Sequence, residues 1–229
     1  MKFIIALAMG VMLAGGAVAS VESGVAAYNA GKFETAFKDF SAAAATGDPA
    51  AKHLLAGLYY QGSGVARDLN KAVTLYTEAA AAGYPPALAN LAVLYETGDG
   101  VPKDAKKSFE YTRKAAEAGD LQSEYRFAQA YQTGTGISQD FAQAAVWYRK
   151  AAEGGSSEAQ NEYSLMFIEG QGVPKDYVQA FAWMDVSAKA GVTEAVHNRV
   201  QLLSLMSAAQ QAAGRKLADE YAAKYSPKH

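Results

Sequence analysis

Four short stretches govern what this chain can become. "YYQGSGVARD" ends at Asp68, "YETGDGVPKD" at Asp104, "YQTGTGISQD" at Asp140 and "IEGQGVPKD" at Asp176, at a constant spacing of 36 residues. The glycine pairs Gly62/Gly64, Gly98/Gly100, Gly134/Gly136 and Gly170/Gly172 keep that spacing, as do Gly83, Gly119, Gly155 and Gly191. A fixed period of this size marks a stack of small supersecondary units, each too small to bury its own apolar face alone.

Each unit reads as two helices. In the first, helix A covers about residues 50–60 and helix B about residues 68–82. Leu54, Leu55, Leu58 and Tyr59 recur at helical spacing in A; Ala72, Leu75, Tyr76, Ala79 and Ala80 form the stripe of B. Alanines opposite Tyr and Trp let backbones approach and then fill the space between them. The first glycine of each pair supplies a left-handed residue after A, and the second lets the linker bend back. Val65, Val101, Ile137 and Val173 are expected to tuck inward, and the aspartates to cap the B helices.

The ends depart from the pattern. Residues 1–19 carry Lys2, an apolar run and Ala17-Val18-Ala19, the form of a secretion signal cleaved before Ser20. Residues 20–49 read as a degenerate first repeat, 50–191 as four full repeats, and 192–225 as a last A helix plus a capping helix opened by Ser207 and Gln210. That final helix is expected to cover the exposed apolar edge; residues 226–229 read as a frayed tail. Loss of the leader removes one positive charge, leaving 20 basic against 23 acidic residues, net −3. This is no footprint for nucleic acid, and no other stretch is apolar enough to span a bilayer. With no cysteine, packing alone must hold an exported chain together.

The pattern "LYETGDGVPKDAKKSFEYTRKAAEAG", with "VWYRKAAEGG" at 146–155, resembles the Sel1-like repeats, a branch of the tetratricopeptide-type helical repeats. The resemblance implies an all-α, right-handed solenoid of stacked antiparallel helix pairs whose A helices line a concave face. It also implies an adaptor that holds other proteins, in a bacterial periplasm or secreted. Some cysteine-rich relatives are connected with β-lactams. The alternative reading is therefore an envelope hydrolase or binder of peptidoglycan fragments or β-lactams, and a carbohydrate-binding module is a third.

Residues free of the packing pattern are the candidate partner contacts: His53, Tyr60, Glu96, Tyr125, Gln129, Gln132, Asn161 and His197, on stripes of successive A helices. Aromatic rings with amide donors and acceptors suit an extended protein or peptide ligand. His53 and His197 lie four repeats apart and read as surface histidines rather than ligands of one metal. No HExxH, phosphate loop, GxSxG or SxxK motif occurs, so catalytic residues, cofactors and metals are not expected. The four repeated aspartates read as caps, too far apart in a stack to share a calcium ion or a catalytic pair.

Overall fold

The computed structural model describes residues 17–225 and consists, within them, of helices and their connections. The order is α1 (Ala17–Asn29), α2 (Phe33–Ala45), α3 (Pro49–Gln61), α4 (Leu69–Ala81), α5 (Pro85–Thr97), α6 (Ala105–Glu117), α7 (Leu121–Thr133), α8 (Phe141–Glu153), α9 (Ser157–Glu169), α10 (Tyr177–Lys189), α11 (Thr193–Leu205) and α12 (Ala208–Tyr225). The expected leader lies outside the described residues apart from 17–19, and so does the tail 226–229. The described residues form two compact units, divided between residues 118 and 119 and holding α1–α6 and α7–α12. In each, odd-numbered A helices and even-numbered B helices stack in chain order as hairpins, the architecture of an α-solenoid.

One loop design makes the repeat. Helix A ends on a left-handed glycine, as at Gly98 (φ 85°), whose N–H donates to the Leu94 carbonyl. The loop then returns so that the aspartate N–H donates back to the A helix. Asp68, Asp104, Asp140 and Asp176 reach the carbonyls of Tyr59, Tyr95, Tyr131 and Phe167 at 2.9–3.0 Å. Each aspartate carboxylate accepts from the first turn of helix B, Asp176 from the N–H groups of Val178 (2.8 Å) and Gln179 (3.1 Å). The A helices carry caps as well, which the repeat pattern did not announce: Asp48, Asp120 and Ser156 accept from Ala51, Ser123 and Ala159. Removing one such cap costs about 1 kcal/mol. Asp176→Ala is accordingly expected to lower stability by that amount in urea melts, with helix content unchanged by circular dichroism.

The second glycine does more than bend the loop. A Cβ on Gly64 would stand 2.4 Å from the Phe33 carbonyl carbon, and one on Gly172 would stand 2.0 Å from the Phe141 carbonyl oxygen. Phe33 and Phe141 open the preceding B helices, so these two loops seat directly on the backbone of the previous repeat. Val65, Val101 and Val173 then pack into the cores beside it.

In the first unit Phe40, Leu55 and Leu58 interlock with Ala36, Ala43 and Ala51. In the second, Tyr148, Tyr163, Met166 and Trp183 pack with Ala128, Ala144, Ala151 and Ala159. Ser207 and Gln210 do form a reciprocal capping box at the start of α12. The helix does not lie on the last apolar edge, however. It runs back along α10: Tyr221 and Tyr225 place their rings 4.4 and 5.3 Å from Trp183, and Tyr221 Oη donates to Gln179. Val196, Val200 and Leu205 of α11 stay exposed. The reason is local. No glycine loop follows α11 to fold α12 against it, whereas Gly214 and Ala218 give α12 a flat strip that fits Phe181 of α10.

Candidate partner-binding faces

The eight candidate residues fall in two groups, one per unit. In the first unit, His53 is not the surface histidine expected. It is 8% exposed and lies edge-on to the rings of Tyr76 and Tyr84, with centroids 5.5 and 5.4 Å away. Burial lowers its pKa from 6.5 to about 4, so the ring is neutral at ordinary pH, and its Nδ1 has no hydrogen-bond partner. Tyr60 is half-buried at the end of α3 and donates its hydroxyl to Asp99 in the next repeat's loop (2.8 Å). The Arg67 guanidinium donates to the Tyr60 carbonyl and lies 5.8 Å from the Tyr60 ring. Burial, followed by that bond to Asp99, raises the Tyr60 pKa. Glu96 is exposed at the C-terminal end of α5, next to its last residue Thr97.

In the second unit, α7 and α9 carry the remaining amide-rich group. Tyr125 and Gln129 sit one turn apart on α7, joined by a 2.9 Å bond from Gln129 Nε2 to Tyr125 Oη. Gln132 accepts from the Tyr148 hydroxyl at 2.6 Å, and the Tyr125 and Tyr148 rings lie 5.8 Å apart. Burial raises the pKa of both tyrosines, with Glu162 adding to the effect. Asn161 on α9 is 5% exposed rather than displayed; its Nδ2 donates to Glu162 Oε1 at 3.4 Å, and its Oδ1 has no donor. His197 on α11 is exposed and shares a 3.0 Å hydrogen bond with Gln201.

The burial of His53 and Asn161 has one cause. They occupy equivalent places in their repeats, with Tyr125 between, and that place turns toward the partner B helix: His53 meets Tyr76, and Tyr125 meets Tyr148. Helical spacing on one helix cannot show how wide a face its partner covers. The readable surface therefore lies at Tyr60 and Glu96 in the first unit and at Tyr125, Gln129 and Gln132 in the second. Beside that second group stand acidic residues the sequence reading passed over: Glu158, Glu162 and Glu169 on α9, and Glu194 on α11. Their signal was available, since α9 contains no Lys, Arg or His.

The repeated aspartates are spent on backbone N–H groups, as the cap bonds show. Among the described residues no group of three or more His, Cys, Asp or Glu is placed to hold a metal, and no helix is long and apolar enough to cross a membrane.

Comparison with known proteins agrees with this architecture. The family model for the Sel1 repeat matches residues 49–84, 85–120, 121–156 and 157–192. A Sel1 repeat protein from Oxalobacter formigenes is similar at 35% identity and TM-score 0.73, over 74% of this chain and 50% of that one. A protective antigen of uropathogenic Escherichia coli, displaying the same repeat fold, is similar at 26% identity and TM-score 0.53, over 93% of this chain and 62% of that one. An immunity protein from Pseudomonas aeruginosa shares the fold at 20% identity and TM-score 0.53, over 93% and 82%. The chain thus spans half to under two thirds of the length of the first two. No curated protein matches it. Four consecutive repeats, each with its glycine loop and its aspartate-capped B helix, place this chain in the Sel1 repeat family.

Proposed function

We propose that this protein is a non-enzymatic scaffold, exported to the bacterial periplasm or beyond, that holds a protein or peptide partner on its A-helix faces. The observation that carries the reading is a division of labour. The recurring residues build: glycines turn the loops, aspartates cap the helices, and alanines and aromatics fill the cores. The non-recurring residues of the A helices gather rings and amides at one surface, as Tyr125, Gln129 and Gln132 do. A regular frame carrying an irregular surface is how a repeat protein reads a partner by burial and hydrogen bonding. Membership of the Sel1 repeat family supports this, since such repeats typically mediate protein interaction. The leader-like residues 1–19 support export.

Affinity capture from an envelope extract tests the proposal. Wild type is expected to retain a discrete partner that Tyr125→Ala/Gln129→Ala, still folded by circular dichroism, retains at least tenfold less. Equal capture by both would remove this face from the proposal. Turnover of nitrocefin or of muropeptides by the purified protein would overturn its non-enzymatic part.

A further inference from the structure

The amide-rich group on α7 has a polarity fixed from beneath. Tyr148 of α8 is wholly buried, and burial raises its pKa, so its hydroxyl keeps its proton. That proton goes to Gln132 Oε1 at 2.6 Å. The oxygen end of the Gln132 amide is thereby committed, and its Nε2 is turned the other way. Gln129 is held in the opposite sense: its Nε2 donates to Tyr125 Oη at 2.9 Å, which leaves Oε1 as the open end. Gln132 Nε2 and Gln129 Oε1 have no partner among the described residues. They are not shut in either, since the sealed polar side-chain atoms without partners lie elsewhere, at His53, Thr97, Gln160 and Asn161. Gln139 Nε2 donates to the Gln132 carbonyl at 2.8 Å and pins the end of α7. The surface therefore offers an acceptor and, three residues on along the same face, a donor, in an order set by contacts inside the protein.

This order complements a peptide main chain. A residue in extended conformation turns its N–H and its C=O to the same edge, where a neighbouring strand exchanges both bonds with it. Gln129 Oε1 stands in for that strand's carbonyl, and Gln132 Nε2 for its N–H. The same two places on the next A helix hold Leu165 and Ile168 of α9, apolar and half-buried. Packed neighbouring helices lie about 10 Å apart, which about three residues of extended chain cover. The earlier A helices do not repeat the pair: these places are Gly57 and Tyr60 on α3, and Val93 and Glu96 on α5.

Resting on the scaffold reading above, we infer that Gln129 and Gln132 bind the main chain of an extended partner segment, one residue's N–H on Gln129 and its C=O on Gln132, with an apolar side chain about three residues away against Leu165 and Ile168. Tyr148 is a positioning residue: it does not touch the segment, and it sets which end of the Gln132 amide meets it. Recognition of this kind selects an extended conformation and an apolar anchor, and it tolerates any side chain between them.

The test uses a neutral peptide, acetyl-Gly-Leu-Ser-Ser-Ala-Ser-Ser-Leu-Gly-amide, and its counterpart N-methylated at the five residues between the leucines. Each is titrated into isotopically labelled protein while NMR follows the side-chain amide signals of Gln129 and Gln132. The unmodified peptide is expected to shift both signals saturably, and the methylated one to bind at least tenfold more weakly. Tyr148→Phe and Gln132→Glu are each expected to lose at least fivefold in affinity. The first releases the Gln132 amide; the second keeps an acceptor for Tyr148 and presents oxygen where the N–H was. Combining them is expected to lose no more than Gln132→Glu alone, because Tyr148 acts through Gln132, whereas a merely structural role lowers affinity in both backgrounds. Tyr76→Phe, the same change at the equivalent place of the first unit, is expected to bind as wild type does. No saturable shift, equal affinity for the methylated peptide, full binding by Gln132→Glu, additive losses in the double variant, or an equal loss in Tyr76→Phe overturns the inference. If it fails while Tyr125→Ala/Gln129→Ala still loses its envelope partner, the scaffold reading stands. If partner capture is insensitive to Tyr125 and Gln129 while the peptide behaves as expected, the main-chain site stands and the envelope partner binds elsewhere.

Discussion

Gly172→Ala is expected to destabilise the second unit by roughly 3–5 kcal/mol, while Gly191→Ala, chemically the same change, costs about 1 kcal/mol. Both glycines are left-handed, at φ 69° and 95°. Both substitutions therefore carry the strain of an L-residue in that region. They differ in what the new methyl meets. At Gly191 no other atom lies within 4 Å. At Gly172 the Cβ falls 2.0 Å from the Phe141 oxygen and 2.5 Å from its carbon, and neither is the movable end of a side chain. Relief requires the loop to lift away from the start of α8, which withdraws Val173 from the core and opens the joint between successive repeats. Chemical denaturation of the two variants side by side checks this. Equal losses would show that the loop does not seat on the previous repeat.

Wild type is expected to lose about 3 kcal/mol more stability between pH 7 and pH 4 than His53→Phe does. The sign follows from the direction of the shift. In the unfolded chain His53 takes up a proton near pH 6.5, whereas in the fold burial delays this to about pH 4. Between those values the unfolded state binds the extra proton, so the contribution is complete above about pH 6.5 and fades as pH falls toward 4. Phenylalanine keeps a ring between Tyr76 and Tyr84 and removes the proton site. Urea denaturation across this range, with the variant subtracted, isolates the histidine from carboxylates that titrate alongside it. Parallel curves for the two proteins would mean that water reaches His53 in solution.

The loop aspartates and glycines were legible because their roles are local. A cap needs only the next turn of helix, and a left-handed turn needs only glycine, so periodic spacing displayed both. The A-helix caps Asp48, Asp120 and Ser156 were less visible, because that place changes chemistry between repeats and is Tyr84 before α5. The candidate surface was half legible. Tyr125, Gln129 and Gln132 stand together as their spacing suggested, but His53 and Asn161 sit deeper than any pattern within one helix could show.

The amino-acid order alone determined the hairpin, its length, its turns and its membership in a repeating series, since these depend on contacts within some 36 residues and recur. Tertiary structure alone decided three things. Gly64 and Gly172 are fitted against the previous repeat's backbone, α12 lies on α10 instead of α11, and certain inner-face residues are covered while Val196, Val200, Glu158 and Glu169 are not. The physical reason is common to all three: burial and charge balance are set by what packs against a surface, and that surface's own sequence does not contain its neighbour.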